Sequence, residues 1–271
     1  MLTQKIGLTA GKIKLAAIII MTLDHIGAIL GQSGLSILIP PLPSSMAGTI
    51  AAWLRVVGRM AFPLFAFFIV EGILHTRNVR RYLLRLFIFA VISEPFYYFG
   101  FNYDASVGGF FSSLARLNFT NVFFTLAISA SALALFRHID GVLPKYAPIL
   151  NLLVSLAALF VAEYIDCDYG ALGVLLIIGL YFAARRGRQA AVVCVWAVLT
   201  YILRQAYYGS GFEWSYISFG SLMYALSAAL SSVLVLLYNG QRGRAMKWFF
   251  YIYYPAHIFV LKLIMLVLCP S

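Results

Sequence analysis

The stretch KIKLAAIIIMTLDHIGAIL, residues 12–30, decides what kind of protein this sequence encodes. Lysines at its start are followed by an apolar run that contains one aspartate and one histidine, Asp24 and His25. A membrane-spanning helix needs about 20 predominantly apolar residues, so the stretch is long enough to be one. Because Asp24 and His25 interrupt the run and no small-residue cleavage site follows, a retained helix is favoured over a signal peptide.

The rest of the chain has the same membrane-protein composition. Of its 271 residues, 63% are hydrophobic and 11% are charged, and the mean hydropathy is +0.92. A soluble domain could not present so apolar a surface to water. The sequence therefore predicts an all-α, polytopic membrane bundle that forms a single domain over residues 1–271. About nine transmembrane helices are expected, in the apolar stretches 15–31, 49–74, 82–101, 119–136, 147–161, 169–184, 190–208, 219–238 and 248–268.

Prolines interrupt the apolar stretches in the amino-terminal part of the chain. Stretch 49–74 is longer than one crossing requires and contains Pro63, which is compatible with a kinked helix or with a re-entrant piece followed by a helix. Segment 32–48 contains Pro40, Pro41 and Pro43, which cannot continue a helix. We therefore predict that segment 32–48 is an interfacial loop.

The net charge of +11 is explained by membrane topology. Cytoplasmic connections of membrane proteins are enriched in lysine and arginine. With a cytoplasmic amino terminus and nine crossings, fifteen of the twenty lysines and arginines, Lys5 among them, fall on the cytoplasmic side, and Arg116 alone falls on the other. The remaining four lie within predicted spans: Arg55, Arg59, Arg204 and Lys262. The charge therefore requires no nucleic-acid partner.

The ionisable residues inside the first span are the main candidates for function. A charged group at bilayer depth costs about 2.5 to 3.5 kcal/mol, and such groups usually face a bundle interior or a water-filled cavity. Lys14 and His25 are eleven positions apart, which places them on one helix face about 16 Å apart along the axis. His25 is the best candidate for a general base, because imidazole titrates near neutrality. Asp24 points about 100° away from it, which favours contact with a different residue.

Three further sets of ionisable residues have a structural alternative as well as a functional one. Arg55 and Arg59 share a helix face, and Glu71 could pair with a neighbouring cation, so a purely structural ion pair is the alternative there. His257, beside Pro255 in the last span, is a second candidate base. The third set could clamp phosphate groups, since arginine binds phosphate in a bidentate way, or could merely set the topology: Arg77, Arg80, Arg81 and Arg85.

Several short motifs resemble the TraX family of membrane proteins, over nearly the whole chain. The specific parts are the D-H pair at Asp24 within the first span and the block GRMAFPLFAF from Gly58. Shorter matches are TRNVRRYLLRL from Thr76, NVFFTL from Asn121, DYGALGV from Asp168 and YPAHI from Tyr254. The family is known for acetylating the amino terminus of conjugative pilin subunits at the inner membrane. It is grouped with transmembrane acyltransferases that take acetyl-CoA from the cytoplasm.

The resemblance implies an acetyl-CoA-dependent N- or O-acetyltransferase in the cytoplasmic membrane, in contact with lipid, that acts on an acceptor protein or glycan. A basic residue eleven positions before a first-helix histidine is a signature of that superfamily, and Lys14 and His25 fit it. We therefore expect His25 and Asp24 to be catalytic and expect no metal site. The residues expected to bind acyl-CoA or substrate are Lys14, Arg55, Arg59, Glu71, Arg77, Arg80, Arg81, Tyr254 and His257.

Two alternatives from other functional classes remain open at this point. A transporter or channel could use Asp24, His25 and Glu71 as a proton or ion relay, although the sequence has no internal repeat. A non-catalytic assembly partner in a pilus or secretion system would leave the buried charges unexplained.

The charge distribution predicts a cytoplasmic amino terminus and an extracytoplasmic carboxyl terminus. A cysteine introduced between Arg185 and Arg188 should react with a membrane-permeant thiol reagent and not with an impermeant reagent added to intact cells. Reaction with the impermeant reagent would contradict the nine-span topology.

Overall fold

A computed structural model of the chain describes residues 7–101, 119–203, 207–208, 211–212, 217–244 and 247–269. Three of the twenty lysines and arginines lie outside these residues: Lys5, Arg116 and Arg204.

Eleven α-helices account for most of the described residues, and we number them in chain order. They are α1 (Ala10–His25), α2 (Gly31–Leu38), α3 (Ser44–Gly58), α4 (Ala61–His75), α5 (Val79–Phe101), α6 (Val122–Val142), α7 (Ala147–Tyr164), α8 (Gly170–Phe182), α9 (Arg186–Val198), α10 (Phe219–Leu236) and α11 (Lys247–Leu268). Segments of π-helix follow α1, at Ile26–Leu30, and α9, at Leu199–Leu203. Two antiparallel strands of two residues each, Tyr207–Tyr208 and Gly211–Phe212, form the sheet structure of this part of the chain. The predicted all-α class is confirmed.

Seven helical stretches within the described ranges are long and apolar enough to cross a membrane. They are Ala10–Leu30, Ser44–His75, Val79–Phe101, Val122–Val142, Ala147–Tyr164, Phe219–Leu236 and Trp248–Leu268. The predicted stretch 169–184 corresponds to α8, whose 13 residues extend only about 20 Å. The predicted stretch 190–208 corresponds largely to α9 and its π segment. Crossing of the membrane by these two stretches stays a prediction.

The exterior of the helices is apolar, as a lipid environment requires. Helix α7 is an example, because it exposes Ile149, Leu152, Leu156 and Phe160, each more than half accessible. Water-soluble proteins rarely expose so continuous an apolar face. The chain is therefore a multi-pass membrane protein.

The structure corrects the predicted loop at 32–48 and resolves the long stretch 49–74. Helix α2 extends to Leu38 and α3 begins at Ser44, so irregular backbone is confined to residues 39–43. The prolines exclude helix only at their own positions, and Pro43 precedes α3, where its missing N–H costs nothing. The long stretch consists of two helices, α3 and α4, separated at Arg59 and Met60.

The helices form two compact units. The first unit comprises Met1–Phe65 and Arg185–Ser271, and the second comprises Ala66–Ala184. In the first unit, the amino-terminal N–H groups of α1 are satisfied by a returning segment of the chain. The N–H groups of Ala10 and Gly11 donate to the carbonyls of Gln241 (2.8 Å) and Arg242 (3.1 Å). Helix α1 therefore begins at Ala10 although Thr9 provides no side-chain cap.

This contact gathers seven cations of the first unit near the start of α1. Leu8 pairs with Tyr238 at the end of α10, and the guanidinium of Arg186, at the start of α9, lies 4.8 Å from the Tyr238 ring centroid. Three connections that the sequence assigned to the cytoplasm thus meet. Their cations are Lys12, Lys14, Arg185, Arg186, Arg188, Arg242 and Arg244.

The second unit contains a buried carboxylate that joins α5 to the start of α6. The Glu94 side chain is fully buried, and its oxygens accept four hydrogen bonds from Thr120 and Asn121 at 2.6 to 3.1 Å. Two of the donors are backbone N–H groups just before α6, where the helix dipole favours negative charge. We therefore assign Glu94 a structural role.

The structure also indicates how to perform the labelling experiment proposed above. A side chain added at Gly187 would meet no atom within 4 Å, so Gly187→Cys is the suitable probe. Among the natural cysteines, Cys167 is buried, and this burial raises the pKa of its thiol, which slows its reaction with the reagents. Cys194 and Cys269 are more accessible and should be replaced by serine.

Candidate functional site

A buried ion cluster joins α1 to α3 in the first unit. Asp24 accepts hydrogen bonds from Arg55, with Nη1 3.0 Å from Oδ2, and from Arg59, with Nη2 2.5 Å from Oδ1. Only 12% of the Asp24 side chain and 14% of the Arg59 side chain are exposed. The guanidinium of Arg59 also lies 5.4 Å from the ring centroid of Tyr224 on α10, at a cation–π distance. The aspartate of the first span is therefore held by the two cations predicted to share a helix face.

Two glycines allow α1 and α3 to approach closely enough for this cluster. A Cβ at Gly58 would overlap the side chain of Asp24. A Cβ at Gly27 would lie 2.6 Å from the carbonyl oxygen of Ala51 and 3.0 Å from Cβ of Leu54. The ion cluster therefore depends on the lack of a side chain at these two glycines as well as on charge.

His25 contacts α11 instead of Asp24. Its Nε2 is 4.0 Å from the nearest Asp24 oxygen, beyond hydrogen-bond distance. Its Nδ1 is 2.6 Å from Nε2 of His257. The two imidazole planes differ by 2° and their centroids are 4.9 Å apart. Nitrogens this close exclude face-to-face stacking, so the rings lie edge to edge in nearly one plane, as a linear N–H···N bond requires.

Aromatic residues of α11 surround this histidine pair. His257 is buried, its Nδ1 lies 2.8 Å from the carbonyl oxygen of Tyr253, and its ring stacks on the Tyr253 ring at 4.9 Å. The Tyr253 hydroxyl is 2.7 Å from Oγ1 of Thr22, on α1. Tyr254 is buried and presents its ring at 62° to the His25 ring, 6.3 Å away. The YPAHI motif thus supplies the polar partner and the apolar surroundings of His25.

Lys14 and His25 both lie against α11. The Lys14 Nζ is 5.8 Å from the ring centroid of Phe250, near the start of α11, whereas His25 meets His257 further along. Helices α1 and α11 therefore run parallel, as first and last spans do when the number of crossings is odd. His25 lies about 15 Å along the helix from Leu15, where the apolar run begins, so it is near the middle of a hydrocarbon core about 30 Å thick.

The backbone changes form directly after His25. Residues Ile26–Leu30 are π-helical, and Gly31 then adopts a positive φ of 55°. Insertions of π-helix are frequent at functional sites, where they re-aim side chains. The histidine thus occupies the last regular turn of α1.

The other sequence-predicted site residues lie in the second unit. Glu71 has Oε2 3.9 Å from Nδ1 of His75, its neighbour one turn along α4. Arg77, Arg80 and Arg81 are exposed. Because α5 begins at Val79, Arg77 precedes the helix, and Arg80, Arg81 and Arg85 of the predicted phosphate clamp lie on it. Asn78 caps this helix by accepting a hydrogen bond from the Arg81 N–H at 2.9 Å.

Other contributors to the site were not predicted from the sequence. Tyr253 lies one helical turn before His257, so their spacing could have suggested that they share a face. Thr22 and Gly58 carry no comparable signal, because their roles depend on which helices meet and at what register. Among the described residues no group of three His, Cys, Asp or Glu side chains could hold a metal ion.

The arrangement is suited to proton transfer. One imidazole is hydrogen-bonded to a second imidazole at bilayer depth, and the adjacent carboxylate is paired with two guanidinium groups. Such an imidazole can accept a proton from a nucleophile if one reaches it.

Comparison with known proteins gives two matches. The profile of the TraX protein family matches residues 10–265. A protein described as "Probable fimbrial assembly protein FimC, serogroup H1", from Dichelobacter nodosus, is 29% identical over 276 aligned positions, which cover 96% of this chain and 97% of that protein. No solved structure matches the chain.

The dependence of the ion cluster on Gly58 can be tested by Gly58→Ala. The added methyl group must displace Asp24 from Arg55 and Arg59, so we expect the free energy of unfolding to fall by about 2 kcal/mol or more. Thermal unfolding in detergent measures the effect, with the loss of monodisperse protein as the signal. Gly187→Ala is the matched control in the same unit, because nothing lies within 4 Å of the added atom. Equal stability of the two variants would contradict the close approach.

Proposed function

The chain belongs to the TraX family, and from this premise we propose that it is a membrane-embedded acetyltransferase. In this proposal it transfers the acetyl group of cytoplasmic acetyl-CoA to an amine or hydroxyl of an acceptor. The membrane is the cytoplasmic membrane, with the amino terminus of the chain in the cytoplasm, where acetyl-CoA is available.

The observation that carries the proposal is the position of His25. It is a nearly buried imidazole, near mid-membrane by helix rise, and its Nδ1 is bonded to His257 while the neighbouring Asp24 is engaged by Arg55 and Arg59. A simple structural ion pair would account for Asp24 and the two arginines. It would not account for the nearly buried His25 and the buried His257 that is hydrogen-bonded to it.

The proposed chemistry assigns one proton to His25. As the acceptor nitrogen or oxygen attacks the thioester carbonyl, Nε2 of His25 takes the acceptor's proton. A C–N or C–O bond forms, the C–S bond breaks, and the departing CoA sulfur receives that proton from His25. Acetyl-CoA supplies the activated acyl group, and the chain supplies the base and the positive charge near it.

The charged residues fit a phosphate-bearing substrate that approaches from the cytoplasmic side. Lys14 is separated from His25 by about 16 Å of helix, so an extended acyl-pantetheine arm is needed to join a phosphate near the lysine to the base. Arg55 uses one amino group on Asp24, and a guanidinium carries five N–H donors, so Arg55 has further donors for a developing oxyanion. Arg59 also donates its Nε to the Arg55 carbonyl oxygen, at 3.1 Å, and so contributes mainly positive charge.

The matched relative suggests the class of acceptor. Its printed name describes it as a probable fimbrial assembly protein, and the family resemblance implies amino-terminal acetylation of pilin subunits. We therefore propose that the acceptor is a structural subunit of a surface fibre, delivered at the membrane with its amino terminus exposed.

Calorimetric titration of the purified protein in detergent with acetyl-CoA is the first test. Saturable binding that CoA competes for supports an acyltransferase. Absence of binding, together with proton flux into proteoliposomes, would instead favour a transporter that uses Asp24 and His25 as a relay. Absence of both would favour a non-catalytic assembly partner.

Replacement of His25 by alanine tests the assignment of the base. We expect acetyl-CoA turnover, measured as release of the CoA thiol, to fall by about 10²-fold or more. Binding of acetyl-CoA should persist, because the phosphates are expected near Lys14, about 16 Å away. His138→Ala, at an exposed histidine of α6, is the control and should retain activity. Near wild-type turnover in His25→Ala would overturn the assignment.

The exposed arginines at the start of α5 provide a separate test of the proposed phosphate clamp. Replacing Arg80 and Arg81 by glutamine should raise the KM for acetyl-CoA severalfold, with a smaller effect on kcat, if they contribute uniform binding energy. The comparison variant is Arg185→Gln with Arg188→Gln, which removes the same charge from two exposed positions in the cation group around Lys14. Arg186 is left intact, because it donates to Gln189 and packs on Tyr238. Equal effects of the two double variants, or none, would refute a dedicated clamp.

A further inference from the structure

We infer that His257 is a positioning residue that determines which nitrogen of His25 carries the hydrogen, and that it does so through the backbone carbonyl of Tyr253. The consequence for catalysis rests on the proposed function. The hydrogen-bond arrangement itself does not.

The first step of the argument is the contact between His257 and Tyr253. The Nδ1 of His257 lies 2.8 Å from the Tyr253 carbonyl oxygen. A carbonyl oxygen can only accept a hydrogen bond, so Nδ1 of His257 must carry a hydrogen and donate it. In a neutral imidazole the other nitrogen, Nε2, is then an acceptor.

The second step passes this constraint to His25. The acceptor Nε2 of His257 is 2.6 Å from Nδ1 of His25, so Nδ1 of His25 must be the donor. The near coplanarity of the two rings, at 2°, directs that hydrogen along the line between the nitrogens. In neutral His25 the remaining nitrogen, Nε2, therefore carries a lone pair. This nitrogen is on the ring edge away from α11 and is the one able to take a proton.

The third step concerns what holds the His257 ring in this orientation. Its plane lies parallel to the Tyr253 ring, at 11° and 4.9 Å between centroids. The Tyr253 hydroxyl is fixed in turn by Thr22, whose own hydroxyl donates to the Ile18 carbonyl at 2.8 Å. Because Thr22 has used its hydrogen on Ile18, Tyr253 is the donor to Thr22. Two hydrogen-bond chains are present, from His25 through His257 to the Tyr253 carbonyl and from the Tyr253 hydroxyl through Thr22 to the Ile18 carbonyl. Each ends on a backbone carbonyl, which leaves a single consistent set of hydrogen positions for neutral imidazoles.

Asp24 does not perform this role. Asp24, its sequence neighbour, is 4.0 Å from Nε2 and is engaged by Arg55 and Arg59. His257 itself uses both ring nitrogens within the chain, which makes it the poorer acceptor of a proton from a substrate. The structure therefore divides the two histidines into a base and its orienting partner, as a third group orients the base in hydrolase triads.

Nitrogen NMR on protein with ¹⁵N-labelled histidine tests the hydrogen positions directly. The chain has four histidines, and replacing His75 and His138 by glutamine leaves only the pair of interest. We expect Nδ1 of His25 to give the signal of a protonated nitrogen and Nε2 that of an unprotonated one. In His257→Ala the His25 signals should change toward the opposite tautomer or a mixture of both. A native His25 protonated on Nε2, or signals indifferent to His257, would overturn the inference.

Kinetics of acetyl-CoA turnover, measured as CoA thiol release, test the catalytic consequence. We expect His257→Ala to lower kcat by about 10- to 100-fold, part of the general-base contribution, with the KM for acetyl-CoA nearly unchanged. His257→Gln retains a side-chain carbonyl oxygen able to accept from Nδ1 of His25 and should recover most of kcat. His138→Gln, at an exposed histidine of α6, is the control and should retain both kcat and KM.

The possible failures are distinguishable. If the native protein turns over no acetyl-CoA, the proposed function fails, and the NMR result alone decides whether His257 sets the tautomer. If turnover is present but equal in the native protein, His257→Ala and His257→Gln, the positioning role fails and the acetyltransferase stands.

Discussion

The contact on which the rest of the site depends is the buried pairing of Asp24 with Arg55 and Arg59. Charges at bilayer depth are tolerated only when paired or solvated, and a single carboxylate here serves two guanidinium groups. Removing the carboxylate would leave two cations without their anion in a nearly dry interior. The pairing thereby fixes the distance and register of α1 against α3, and the absence of a side chain at Gly58 is the steric condition for it.

This anchoring explains how two adjacent residues can serve different purposes. Successive helical residues point about 100° apart, so Asp24 can face α3 while His25 faces α11. The ion cluster holds the helix, and the histidine is left to a second set of contacts made by His257, Tyr253 and Tyr254. A base positioned in this way need not share its hydrogen-bonding groups with the contacts that maintain the fold, and the π segment that follows can adjust its direction.

In the first unit, the group of cations and the histidine pair lie at different positions along α1. Seven of its cations gather where α1, α9 and α11 begin, because the segment after α10 returns to satisfy the first N–H groups of α1. The histidines lie about 15 Å further along the helix. In the proposed acetyltransferase this separation is the distance between the phosphates and the thioester of one extended substrate. In the second unit, Glu94 instead uses its buried charge to tie α5 to α6.

The sequence by itself determined the membrane class, most helical segments and the ionisable residues that matter, because apolar run length and the cost of buried charge are local properties of the chain. It did not determine their partners. Whether Asp24 meets His25 or Arg59, and whether His257 is a second base or a partner of the first, depends on which helices adjoin and at what register. The prediction of a loop at 32–48 was wrong for a related reason, since Leu35 of α2 packs with Leu30 against Ala47 and Ala51 of α3. Only the tertiary structure decides such pairings, because a hydrogen bond is formed or lost within an ångström of helix displacement.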